Sequence, residues 1–269
     1  MRAALLIATA ALVAGCTATT DRPGTVLGEL TWYQAEQLLT PDTIVVIPIG
    51  AEAKEHGPHL LLMNDLLIAE YLTERVLNAA DVVVAPILNY HYYPAFVEYP
   101  GSTTLELDTA RDLVLDIVRS LANYGPRRFY ALNTGVSTNR ALAPAAEILA
   151  REGIAFTYTD LRSFSDLHDT VSEQEGGSHA DEIETSMMLY MAPWSVDMTR
   201  AVRDYDPRPL PGLTRERNDK STYSPTGTWG DPTLATHAKG RIIVEGMVAG
   251  ILSDIEALRA MPVLPRTSD

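Results

Sequence analysis

The chain has 269 residues, 46% of them hydrophobic, with a formal net charge of −14 and a single cysteine. That charge argues against a nucleic-acid partner and against a polybasic membrane contact. One cysteine excludes a disulfide framework and a thiolate metal site.

Arg2 supplies a positive start, Ala3 to Leu12 an apolar stretch, and Val13-Ala14-Gly15-Cys16 has the form of a lipobox. The segment is too short to span a bilayer, so residues 1–16 read as a lipoprotein signal peptide with Cys16 as the lipidation site. Acylation there implies a lipid anchor in a bacterial cell envelope. Thr17, rather than Asp, follows the cysteine, which favours the periplasmic face of the outer membrane. Residues 17–39 read as a tether and the start of the domain, 40–261 as one α/β domain, and 262–269 as a flexible tail.

Thr43–Ile49 is an apolar run of strand length. A loop follows from Glu55 to Asp65 that carries Glu55, His56, His59 and Asp65. Imidazole nitrogen and carboxylate oxygen suit zinc, manganese and similar divalent ions. A loop after a strand is also where an open α/β sheet keeps its chemistry.

Asp65–Asn78 has helical spacing, with Ile68, Ala69, Leu72 and Val76 on one face. Asp81–Leu88 reads as a second strand, and Asp108–Tyr124 as an amphipathic helix ending before Gly125-Pro126. Arg128–Asn133 is a third strand, Arg140–Glu152 a helix, Ile154–Thr159 a fourth strand, and Ala180–Met191 and Gly240–Leu258 two more helices. Strand and helix in alternation predict an α/β fold with a mostly parallel sheet covered on both faces. Pro193–His237 is rich in Pro, Gly, Thr and Asp. It reads as an irregular segment that is functional, a crossover or an oligomer contact.

Polar segments then recur where the sheet places a site: Asn89–Pro94 with His91, Tyr99–Thr103, Asn133–Asn139, and Ser178–Ser186. Gly135-Val136-Ser137-Thr138-Asn139 lies at a strand-to-helix turn, where a serine hydrolase would place a nucleophile, Ser137. Asn139 at the second glycine position weakens that alternative.

His56-Gly57-Pro58-His59-Leu60, with Asp65 beyond, resembles the creatininase (creatinine amidohydrolase) family, whose loop reads Glu-x-His-Gly-Pro-His-Leu-Pro followed by an Asp. Pro100-Gly101-Ser102-Thr103 looks like the family's Pro-Gly-Thr loop, and His179–Ser186 is similar to its His-Ala-Gly-Glu-x-Glu-Thr-Ser helix start. Gly230-Asp231-Pro232, Ala235-Thr236 and Lys239-Gly240 match a later stretch, so the resemblance covers roughly residues 40 to 255.

The resemblance implies a three-layer αβα fold, a homo-oligomer, and an amidohydrolase that cleaves a C–N bond of a small amide or cyclic amide with one or two divalent ions, zinc or manganese. It implies His56, Asp65 and Glu184 as metal ligands, with Glu55 as a further ligand or general base. His179 is implied to bind substrate or stabilise an oxyanion, with Gly101, Ser102 and Thr103 lining the substrate site; His91, amid tyrosines, reads as substrate-pocket wall or core contact rather than a ligand. Two departures stand out. Lys54 occupies the position of the family's first ligand Glu, and Val136 that of the ligand His in its Asn-Gly-His-Gly-Gly-Asn loop. A catalytically impaired binding protein with this fold is therefore the alternative to an enzyme. Creatinine itself is not the expected substrate, because Glu173 to Gly177 offers no aromatic wall.

Overall fold

In the computed structural model, which describes residues 22–206 and 210–262, five short strands form one parallel sheet. They are β1 (Thr25–Val26), β2 (Ile44–Ile49), β3 (Val83–Val84), β4 (Arg128–Asn133) and β5 (Ala155–Tyr158), in the order β1-β3-β2-β4-β5. The run Ile44–Ile49 is buried throughout because its alternating side chains enter two separate cores.

On one face Ile44, Val46, Tyr130 and Leu132 pack against α2 (Asn64–Ala79), α6 (Glu182–Met191) and α7 (His237–Ala260). On the other, Val45, Ile47, Phe129 and Ala131 pack against α3 (Leu107–Ala122) and α4 (Asn139–Arg151). The expected three-layer αβα arrangement is what the chain adopts. Two small helices, α1 (Trp32–Leu38) and α5 (Ser165–Asp169), and a two-stranded pair, β6 (Leu213–Thr214) with β7 (Thr222–Tyr223), complete it.

Three local readings change. Part of the expected tether is structured: Thr25–Val26 is an edge strand, and α1 begins at a capping box between Thr31 and Gln34. The expected strand Asp81–Leu88 pairs only at Val83–Val84 and touches β2 again through Ile49 and Leu88. Pro48 has no N–H to give this neighbour, and it joins the ladder there through its carbonyl, which accepts the Leu88 N–H at 2.9 Å. Among its described residues, Pro193–His237 holds β6, β7 and three 3-10 turns. Cys16 and the signal segment, like the tail from residue 263, lie outside the described residues, and no described helix is long and apolar enough to cross a membrane.

From β2 the chain winds to β3 on one side and to β4 on the other. The crevice at that reversal is where open α/β sheets bind ligands. Gly240 lets α7 lie against α6: a Cβ there would sit 1.8 Å from the Ser186 carbonyl oxygen. Gly240→Ala is expected to cost about 1–3 kcal/mol by forcing the helices apart. An unchanged urea midpoint would show that the contact adjusts freely.

Candidate metal centre

Lys54 and His56 meet Asp65 because the β2–α2 loop folds back on itself. Gly57 turns the chain at φ 67°, and Leu66 N–H donates to the Ala51 carbonyl at 3.1 Å. Gly50 permits the close approach, since a Cβ there would lie 2.4 Å from the Asp65 carbonyl oxygen. From β4, the Thr134 hydroxyl donates to the Asp65 and Ile49 carbonyls, both at 3.1 Å. Asp65 is thereby fixed at the strand ends, in the first turn of α2.

Its carboxylate divides between two partners. Oδ1 lies 2.9 Å from His56 Nε2, and Oδ2 lies 2.7 Å from Lys54 Nζ. Burial alone would push the Asp65 carboxyl up, but the Lys54 ammonium and His56 bring it well below the usual carboxylate range. His56 Nδ1–H donates to the Lys54 carbonyl at 2.9 Å, which leaves Nε2 as the nitrogen that faces the site. Lys54 is itself buried, with Nζ 4.8 Å from the centre of the Phe96 ring.

His179 enters from the start of α6. The Trp229 backbone holds it in an antiparallel bridge, and Ala180 follows at φ 48°, the one non-glycine residue with positive φ among those described. Its Nε2–H points at Glu55, 2.9 Å from the carbonyl and 3.1 Å from Oε2. Nδ1 then faces Glu184 Oε2 at 3.6 Å. Burial opposes charge on both groups of the Glu55–His179 pair. Their mutual attraction and hydrogen bond win, so the Glu55 pKa is lowered and that of His179 raised. The Phe96 ring covers His179 at 4.3 Å between centroids.

Among the described residues, His56, His179 and Glu184 bring one ligand atom each to within 4.8 Å of one another. Two imidazoles and a carboxylate are a donor set for a divalent ion such as zinc. Each histidine has its other nitrogen engaged by the protein, at the Lys54 carbonyl and at Glu55, as metal-binding histidines do. The residues present therefore fit an ion. Glu184 and Val136 line a cavity of about 640 Å³, together with Thr134, His168, Gln174 and Asp181. Asp181 caps α6 by accepting the Ile183 and Glu184 N–H groups, and burial with the Glu184 charge pushes its pKa up to about 6.

The fold brings some of the expected site residues together and leaves others apart. Glu55 contacts His179 Nε2 and lies against the loop at Gly227, and it is not among the residues that line the cavity. Asp65 touches His56 but stands outside the three-residue set. His179 joins that set as a candidate ligand. Gly101, Ser102 and Thr103 do not line the cavity. The Ser102 hydroxyl accepts from Glu55 N–H at 2.9 Å and Thr103 bonds the Ala53 carbonyl, so this stretch props the metal loop from behind. The Ser137 hydroxyl donates to the Tyr92 carbonyl at 3.0 Å, not to a histidine. The Lys54–Asp65 contact was missed because it depends on which way the loop folds. The charge reversal at position 54 is its only trace in the sequence.

His91, expected on a pocket wall or as a core contact, is fully buried and is not among the residues that line the cavity. Burial pushes its pKa down from 6.5 to about 4 despite a backbone contact at Ala110. A depressed histidine pKa favours the folded state when the ring is neutral. That contribution is complete above pH 6.5 and is lost as pH falls toward 4. His91→Phe should therefore flatten the acid loss of stability by roughly 3 kcal/mol over that window and leave catalysis alone. Denaturation series at pH 4, 5 and 7 test it. An undiminished acid loss in the variant would place the titrating group elsewhere.

The sequence model of the creatininase family, described as creatinine amidohydrolase, matches residues 28–255. The chain is 29% identical over 249 residues to creatinine amidohydrolase of Pseudomonas putida, covering 85% of this chain and 95% of that protein. It is 30% identical over 235 residues to the mycofactocin precursor peptide peptidase of Mycobacterium tuberculosis, covering 83% and 88%. A solved manganese creatininase, 25% identical, superposes with a TM-score of 0.74 over 88% of this chain and 100% of that one. A solved creatininase variant of Zn–Zn type, 26% identical, gives the same TM-score over 88% and 98%. With the family model spanning most of its length and the fold shared, the chain belongs to the creatininase family.

Proposed function

We propose that this protein is a metal-dependent amidohydrolase that cleaves a C–N bond of a small amide or cyclic amide at the bacterial cell envelope. The observation that carries it is the set His56, His179 and Glu184, converging beside Asp65 at the switch point of the sheet and opening through Glu184 onto a cavity. A divalent ion held by those three, zinc or manganese as in the solved relatives, would polarise the scissile carbonyl and supply a water of lowered pKa. Glu55 keeps the His179 Nε2 proton, so that Nδ1 is presented to the cluster. The Lys54 carbonyl holds the His56 ring through Nδ1–H, and Nε2, which meets Asp65 in the metal-free protein, is the nitrogen that would turn to the ion. Phe96 covers one face of His179 and limits water there. The cavity wall, with Gln174, Asp181 and Glu184, offers polar groups to an amide, while Ile68, Ile183 and Met187 receive its apolar part.

The N-terminal lipobox supports anchoring through Cys16, and family membership supports a homo-oligomer. The test is amine or ammonia release by the full chain from a panel of cyclic amides, formamides and short peptides, creatinine among them. Turnover should vanish with a chelator and return with zinc or manganese. Turnover that a chelator leaves untouched would remove metal-dependent hydrolysis.

A further inference from the structure

The geometry points to Lys54 as a built-in cation that takes the place of a second metal ion, so that the centre holds one ion per chain. This rests on the metal-dependent reading above. A carboxylate bridges two ions by giving one oxygen to each. Asp65 gives Oδ1 to the His56 side, but its Oδ2 is held at 2.7 Å by the Lys54 ammonium. That ammonium is installed rather than passing by. Its side chain is only 6% exposed, the Phe96 ring lies under it at 4.8 Å and the Tyr93 ring at 5.7 Å, and the backbone of Lys54 is pinned through N–H to the Leu62 carbonyl.

A buried ammonium needs its counter-charge, so Asp65 is committed to it. A second divalent ion at Oδ2 would meet the positive charge of Lys54 at close range. Nor are there ligands to hold one. Of the two β4–α4 turn residues that line the cavity, Val136 offers no ligand atom and Thr134 spends its hydroxyl on the Ile49 and Asp65 carbonyls, and His56, His179 and Glu184 form the one candidate cluster among the described residues. The solved Zn–Zn relative shows that the shared fold accepts a two-zinc centre. The Lys54 side chain occupies the place beside Asp65 whatever the metal supply, and it holds Asp65 against His56 in the metal-free protein.

The experiment is metal counting. The full chain is loaded with excess zinc or manganese, freed of unbound metal and measured by inductively coupled plasma mass spectrometry. One equivalent per chain is expected. The double variant Lys54→Glu/Val136→His, checked for folding by circular dichroism, should rise to two. Two equivalents in the unmodified chain would overturn the proposal while leaving a metal enzyme intact; none would overturn both. A folded double variant that stays at one equivalent would show that Lys54 and Val136 do not set the count. Anomalous diffraction from crystals of the loaded, unmodified chain gives a second readout if the variant does not fold. One peak at His56, His179 and Glu184 with Lys54 still on Asp65 supports the proposal, and a second peak in place of the ammonium overturns it.

Discussion

Asp65→Ala is expected to destabilise the protein by about 3–5 kcal/mol, because it leaves the Lys54 ammonium buried without its counter-charge. Lys54 is nearly inaccessible, and the only ion pair it makes among the described residues is with Asp65. In a protein of this size such a loss lowers Tm by roughly 6–20 °C. The same substitution removes the carboxylate that, beside Nε2 at 2.9 Å, holds the His56 ring in position before metal binds, and so weakens metal binding as well through lost preorganisation. Loss of activity in the single variant is therefore ambiguous. The double variant Asp65→Ala/Lys54→Met separates the two effects: removing both charges should recover most of the stability and none of the metal affinity. Thermal and urea denaturation of the three proteins decide it. A single variant as stable as the parent would mean that Lys54 escapes to solvent and that the ion pair is incidental.

The second large effect is expected at Glu184, on catalysis instead of stability. Glu184→Gln keeps the shape of the side chain and an oxygen to accept the Ala180 N–H, which now lies 2.6 Å from Oε2. It removes the charged ligand oxygen that faces His179 Nδ1 and the cavity. Turnover should fall at least about 100-fold with loss of bound metal, while Tm stays within a degree or two. Glu55→Gln should cost less, roughly 10–100-fold, because it acts through the orientation of His179. The order of the two losses is the informative result. A larger loss at Glu55 would make it the reacting carboxylate and Glu184 its support.

The layer structure was legible because an unbroken apolar run such as Ile44–Ile49 has to be covered on both faces, and helical spacing such as that of Ile68, Leu72 and Val76 supplies the cover. The edges were not legible. Two residues at Thr25–Val26 or Val83–Val84 carry no periodicity, and they count as strands only because a neighbour accepts their hydrogen bonds. In the site, His56 and Glu184 could be named from local motifs, since each motif also dictates its own turn or helix start.

Residue types within short motifs gave the donor chemistry, and their resemblance to the creatininase family implied the class of protein and the two positions, Lys54 and Val136, at which it departs from that family. What those departures do was decided by the tertiary structure alone. Whether a lysine is a solvated charge or a buried counter-ion depends on what the fold sets beside it. Here a loop from β2, the first turn of α2 and the Phe96 ring close around Lys54 from separate parts of the chain. The same holds for His91, drawn into the interior, and for His179, whose tautomer is set by Glu55, 124 residues away in sequence. A side chain's protonation and direction follow from its surroundings, and those come into being only when distant segments pack.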